Sequence, residues 1–428
     1  MNPQNWYKYE QNLSRDLRQA IFTAKSLLSQ GVGIYLQDRS SRICFAFLEL
    51  TNKKVDFVLA EQTKYKKLSS DMAVSYQQII KSWYERSKPL LKSIPEDISS
   101  FLLPSDVSTP HLKAMIKTHK PGNNVRLTFS SRGSCTQNLS SVLDHVYLKP
   151  TVTSDLCSRR LGDTRDALLF IESINNHLWD NNIEDKPYIY ALDVTNFFPS
   201  VDFSLSMPAI KRYLSLKGFS TSEVNAVCKG LKVVRNGNFF RWRDQFYNQI
   251  SGCALGDPDS CSYSDLSLAN LLDDMVPSCE TALSIQMDPF FKVYRDDGLG
   301  FCLSQPHKVL DVLEFFNGFN EKIQWTVPYC NCCNIPEVIC PNYNCLNFWI
   351  FRLHGSRLER VANISGNFKL QTSPSLQIFM RTFTQSHVLL LISMPKELQF
   401  RRQWEQGLGQ YTQMTISYYW TSIYSPVT

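Results

Sequence analysis

Apolar residues between positions 2 and 30 recur at helical spacing (Leu13, Leu17, Ile21, Leu27, Leu28), which predicts an amphipathic helix that Gly31 ends. The period then changes. Residues 33–50 alternate around a turn at 38–41 and read as a β-hairpin, whereas 71–103 return to helical spacing, broken by Pro89 and Pro95. Farther along, residues 188–193 (Tyr-Ile-Tyr-Ala-Leu-Asp) form a strand-like apolar run that ends in a carboxylate. Residues 290–301 read as two apolar strands joined by an Asp296-Asp297-Gly298 turn. Between these two elements, the glycine-bearing stretch 249–258 leads into a helix whose apolar face is Leu268, Leu271, Leu272 and Met275. Asp257 is expected as its N-cap and Pro258 as its first residue. No internal repeat is visible along the chain.

At roughly 100–200 residues per domain, 428 residues allow two to four units and a sizeable core. Hydrophobic residues are 43% and charged residues 20%, which excludes a disordered chain. The 13 cysteines are an odd number, so at least one thiol stays unpaired and a reducing, intracellular setting is expected. The longest apolar run, 388–394, is far short of the roughly 20 residues that span a bilayer, so no membrane is expected as a partner. No clear targeting signal stands out. The net charge of +6 is unevenly spread: residues 1–150 carry 21 basic and 12 acidic side chains, net +9, leaving 24 and 27, net −3, for the rest. Lys113, Lys117, Lys120, Arg126 and Arg132 fall in extended runs around Pro121-Gly122, where they form either a phosphate-attracting wall or an ordinary solvated surface.

The order of the acidic elements changes that balance. Taken alone, Asp193 could be a helix cap or a turn residue. A strand ending in Asp193, a glycine loop with its helix, and a hairpin carrying Asp296 and Asp297 can instead meet at the edge of one sheet. That arrangement suits two Mg²⁺ ions about 3.5–4 Å apart, one activating a 3′-hydroxyl and one holding a triphosphate.

Here the chain resembles reverse transcriptases, most closely the Penelope-like retroelement type, whose cores are similar to telomerase reverse transcriptase. The resemblance runs from about residue 31 to about 353. It rests on Lys117-Thr118-His119-Lys120-Pro121-Gly122 with Arg126, Asp193-Val194 with Phe198, residues 249–258, Tyr294-Arg295-Asp296-Asp297, and a primer-grip-like strand at 346–350. It implies an α+β fold, that of a right-hand polymerase with fingers, an antiparallel-sheet palm and a helical thumb. The divisions are an N-terminal helical extension at 1–30, fingers with the first palm elements at 31–185, a palm at 186–353 and a thumb-like region at 354–428. The implied activity is RNA-directed DNA synthesis, with RNA template, DNA primer, their duplex and dNTPs as partners and a nuclear location.

By the same resemblance Asp193 and Asp296 are metal ligands with the Val194 carbonyl, Asp297 shapes the acidic turn, and Mn²⁺ can replace Mg²⁺. Lys117, Lys120 and Arg126 neutralise the triphosphate, while Gln249, Gly252 and Gly256 line the nucleotide and template pocket. Phe198 stands where a ring excludes a 2′-hydroxyl, its other reading being a core aromatic. Three features depart from the pattern: Gly256-Asp257-Pro258 in place of Gly-Ser-Pro, Arg295 at a commonly apolar position, and Leu127 in place of a proline. Arg295 and Asp257 keep a domesticated or decayed nucleic-acid-binding protein without catalysis open, beside an RNA-templated RNA polymerase. Cys330, Cys333, Cys340 and Cys345 either bind a structural Zn²⁺ or are untied thiols.

Overall fold

The computed structural model describes residues 14–329 except 39–41, 96, 119–123, 183–187 and 304–306, together with Pro336 and two strands near 351–360. The first helix, α1 (Arg15–Ser29), ends at left-handed Gly31, and the hairpin β1 (Val32–Gln37) and β2 (Ile43–Phe47) follows. The alternation stops at Phe47, earlier than the hairpin pattern predicts, because residues 48–50 begin the helix α2 (Leu48–Leu59). The chain continues through β3 (Tyr65–Leu68), α3 (Ala73–Ser87), α4 (Ser99–Leu102), β4 (Leu112–Ile116), β5 (Val125–Phe129), α5 (Gln137–Leu143) and α6 (Thr164–Asp180). As its proline content predicts, α3 closes just before Pro89. A first sheet has the order β2-β1-β4-β5, with β1 and β4 parallel.

The second half is β6 (Tyr188–Val194), α7 (Phe197–Ser200), α8 (Phe203–Leu216), α9 (Thr221–Asn236), β7 (Phe239–Trp242), β8 (Gln245–Gln249), α10 (Ser260–Leu283), β9 (Phe291–Tyr294), β10 (Asp297–Cys302), α11 (Lys308–Phe319) and β11 (Trp325–Thr326). Short polar side chains start its helices: Asp202 accepts from the Leu205 N–H ahead of α8, and Ser220 from the Glu223 N–H ahead of α9. The small sheet β3-β8-β7 links the two halves. A last hairpin, β12 (Phe351–His354) and β13 (Arg357–Arg360), opens the stretch expected to be a helical thumb. Residues 361–428 and the strand-like 346–350 lie outside the described residues.

What positions the site is the sheet β11-β6-β10-β9, antiparallel throughout. Helices between its first and second and its third and fourth strands make it a β-α-β-β-α-β unit. On one face Tyr190, Leu192 and Val194 of β6, Phe291 and Val293 of β9 and Trp325 of β11 join the main core, which also holds Tyr213 of α8 and Leu268, Leu272 and Met275 of α10. The alternation in β10 fits this: Gly298 and Gly300 lie on that face because a Cβ at 300 would enter the Tyr190 ring, 2.1 Å away. On the other face Leu299 and Phe301 pack on Phe170 and Ile174 of α6, the Phe170 and Phe301 rings meeting edge to face at 5.6 Å. Toward the Asp193 end that face opens into a cleft. No helix among the described residues is long and apolar enough to cross a membrane.

Candidate active site

Asp193, the sixth of seven residues, is the one charged residue in an otherwise apolar strand: its neighbours Leu192 and Val194 point into the core, so alternation sends Asp193 to the open face. Its direct cross-strand partner is Asp297. The Val194 N–H donates to the Asp296 carbonyl at 2.9 Å, which makes Asp193 and Asp297 a non-hydrogen-bonded pair, with Cα atoms about 4.5 Å apart and side chains on one face. Asp296 occupies the turn beside them. Like charges directly opposite one another on a sheet are destabilising, so a cation at this edge would relieve their repulsion. The hairpin turn itself is Arg295-Asp296, with Tyr294 paired to Asp297, rather than the Asp-Asp-Gly turn the sequence suggests; Arg295 supplies the left-handed residue at φ 58° and Gly298 is kept free for close packing. On the other side of β6, Thr326 pairs with Asp193 and its hydroxyl donates to the Asp193 carbonyl at 3.2 Å.

The three aspartates, Val194 and Tyr294 line a cleft of about 890 Å³ that Lys117, Arg126 and the Lys64–Glu61 ion pair also line. Arg126, on β5, is held by the buried Asp38 carboxylate at 3.1 Å. The Tyr65 hydroxyl nearby is pushed up to about 12 by burial and by the Glu61 charge. Phe198 also lines the cleft. Asn196, left-handed at φ 51°, turns the chain after β6 so that Phe197 enters the core, while Phe198 remains half-buried at the cleft with its ring 5.4 Å from that of Phe197.

The residues of the glycine loop are packed against neighbouring protein. Gln249 is buried, and its amide donates to the Ser251 and Cys253 carbonyls at 3.0 and 3.1 Å, so it braces the loop from inside. Gly252, at φ 72°, leaves room for protein rather than ligand: a Cβ there would stand 2.5 Å from the Pro199 Cα and carbonyl oxygen. This contact and the Cys253 N–H bond to the Phe198 carbonyl, 2.8 Å, dock the loop under Phe198. Gly256 likewise meets the Phe129 carbonyl at the end of β5.

Asp257 does not cap α10. The helix starts at Ser260 with Asp259 in the cap position, because Arg235 on α9 draws both carboxylates inward. Arg235 lies 3.2 Å from Asp257, also pairs with Asp259, and sits over the Tyr263 ring at 4.6 Å; Ser140 donates to Asp259 at 2.7 Å. Burial and the neighbouring Asp259 push the Asp257 carboxyl up, against the pull of Arg235. Its charge is therefore matched internally and adds nothing to a phosphate site. Nothing in the chain flagged Arg235 except its place beside Leu231 and Val234 on the buried stripe of α9.

Arg295 is also committed inward, to Asp265 of α10, which Arg160 meets from the other side. Asp265 falls one turn before Leu268 on the apolar stripe of its helix, the signal of a charge that needs buried partners. Among the described residues no three or more His, Cys, Asp or Glu side chains converge as an all-protein metal cage would. A facing carboxylate pair with a third in the adjoining turn fits a hard cation that completes its oxygen shell from phosphate and water. Lys120 and all four of Cys330, Cys333, Cys340 and Cys345 lie outside the described residues; the eight described cysteines are all free thiols.

No protein-family model matches the chain, and no curated protein matches it. Solved structures do. Telomerase from Candida albicans, in complex with the TWJ fragment of telomeric RNA, is similar at 11% identity and a TM-score of 0.43, over 68% of this chain and 48% of that one. Apo telomerase from Candida tropicalis is similar at 10% and 0.44, over 71% and 52%. An insertion-loop deletion mutant of the RNA-dependent RNA polymerase of a human picobirnavirus is similar at 10% and 0.39, over 76% and 66%. The chain spans about half the length of the telomerase chains.

Proposed function

We propose that this chain is a template-directed nucleic-acid polymerase, specifically an RNA-directed DNA polymerase of the Penelope-like reverse-transcriptase type. The observation that carries the reading is the register at the sheet edge: Asp193 opposite Asp297, with Asp296 in the turn, all three on a cleft that Lys117 and Arg126 also line. Asp193, Asp296 and the Val194 carbonyl would hold two Mg²⁺ ions, for which Mn²⁺ can substitute, with Asp297 adding negative charge. When bound, these ions supply charge neutralisation and a more acidic hydroxyl for in-line attack on an α-phosphate.

The rest is done by the chain. Lys117 and Arg126, with Lys120, take the triphosphate charge, and Asp38 keeps the Arg126 guanidinium on the wall. Phe198, supported from beneath by the Gly252 loop, presents its ring to the sugar and bars a 2′-hydroxyl, which favours deoxynucleotides over ribonucleotides. RNA template and DNA primer would lie across the open end of the sheet. The internal pairing of Asp257 with Arg235 and of Arg295 with Asp265 removes both departures that favoured a non-catalytic binder.

The test is extension of a DNA primer on an RNA template with dNTPs or NTPs, in Mg²⁺ and in Mn²⁺. Asp193→Ala and Asp296→Ala should abolish extension and spare duplex binding. Extension retained in either variant refutes the site; duplex binding without extension by the parent protein favours the non-catalytic reading, and preferential use of NTPs the RNA polymerase.

A further inference from the structure

We propose that Arg295 is a positioning residue: together with Arg160 it clamps the buried Asp265 carboxylate, and this tether fixes the acidic turn to the helix beneath the sheet. The inference rests on the polymerase reading for its consequence and on geometry for its existence. Arg295 Nη1 and Arg160 Nε both donate to the same oxygen, Asp265 Oδ2, at 2.8 and 2.7 Å. The Asp265 side chain is only 3% exposed, so each guanidinium meets it with little solvent screening.

The two arginines come from different elements around the hairpin. Arg160 belongs to a segment running along the outer edge of β9, where the Val293 N–H donates to the Arg159 carbonyl at 2.8 Å and the Leu161 N–H to the Val293 carbonyl at 2.7 Å. Arg295 is the turn residue itself, in a left-handed conformation that residues other than glycine, asparagine and aspartate rarely take. That conformation lets its side chain reach α10 while the next residue, Asp296, stays at the β6 edge, its carbonyl accepting the Val194 N–H. Pulling on Arg295 therefore acts on Asp296 and Asp297 directly. An arginine in this place thus faces inward and is no primer contact.

The experiment uses the full chain with Arg295→Gly and Asp265→Asn. Glycine accepts the left-handed turn without strain and removes only the side chain, so it separates the tether from the backbone. Hydrogen exchange at the Val194 amide reads the attachment of the turn to β6. It should speed up about tenfold in both variants and recover in part in Arg295→Lys. Affinity for an RNA–DNA primer–template, measured by fluorescence anisotropy, should stay unchanged, while kcat at saturating duplex and dNTP should fall by about 10²-fold through misplacement of the carboxylates. Unchanged Val194 exchange in Arg295→Gly overturns the tether. So does a tenfold loss of duplex affinity with kcat preserved, which would make Arg295 a primer contact. A parent protein that extends no primer sinks the polymerase reading and leaves the exchange comparison to decide the tether alone.

Discussion

Replacing Asp193 with Asn should make the metal-free protein more stable and at the same time useless as a polymerase. Asp193 and Asp297 form a directly opposed pair on one face, with Cβ atoms about 4.5–5.5 Å apart. Two charges about 5 Å apart repel by roughly 0.8 kcal/mol in water and about 3 kcal/mol at an effective dielectric constant of 20. Both residues are half-exposed, which favours the lower end. Measured cross-strand pairs give about 0.2–1 kcal/mol, so the expected gain for Asp193→Asn in EDTA is roughly 0.5–1 kcal/mol. A divalent ion reverses the ranking, because saturating the folded state at about 100 times the dissociation constant adds about 2.7 kcal/mol to the parent and little to the variant. Urea unfolding followed by circular dichroism, in EDTA and then in Mg²⁺ or Mn²⁺, reads both differences as midpoint shifts at constant slope. The reasoning fails if the variant is the less stable protein in EDTA, or if neither ion raises the midpoint of the parent.

Three more outcomes are expected. Asp257→Asn should remove a pH dependence: the carboxyl is raised from 3.8 to about 7 in the folded state, so the stability it contributes is complete below about pH 4 and lost as pH rises to 7. The parent should therefore lose stability relative to the variant as pH rises through that window in urea titrations; a flat difference would contradict it. Gly252→Ala should cost about 2–3 kcal/mol, since a Cβ meets the Pro199 backbone at 2.5 Å in a left-handed conformation. An unchanged urea midpoint would rule out that packing role. Phe198→Ala should raise ribonucleotide incorporation relative to deoxynucleotides in single-nucleotide extension, and an unchanged ratio would return Phe198 to a core aromatic.

Much of the local structure could be read directly from the chain. The change from a period of three or four to alternation at 33, the break before Pro89, the strand ending in Asp193 and the paired strands around 290–301 all depend on neighbours a few residues apart, and such neighbours are written consecutively. The order of acidic strand, glycine loop and acidic hairpin also led to one sheet edge. Partners were another matter. That Asp297 rather than Asp296 faces Asp193, that the turn falls at Arg295-Asp296, that Arg235 and not a helix end takes Asp257, and that Gly252 makes room for Pro199 rather than a nucleotide were decided only in three dimensions. A sheet register is set by hydrogen bonds across a hundred residues of intervening chain, and a buried charge by whichever opposite charge the packing brings within reach. Periodicity tells which side of an element is apolar; what lies against that side depends on how the whole chain closes over it.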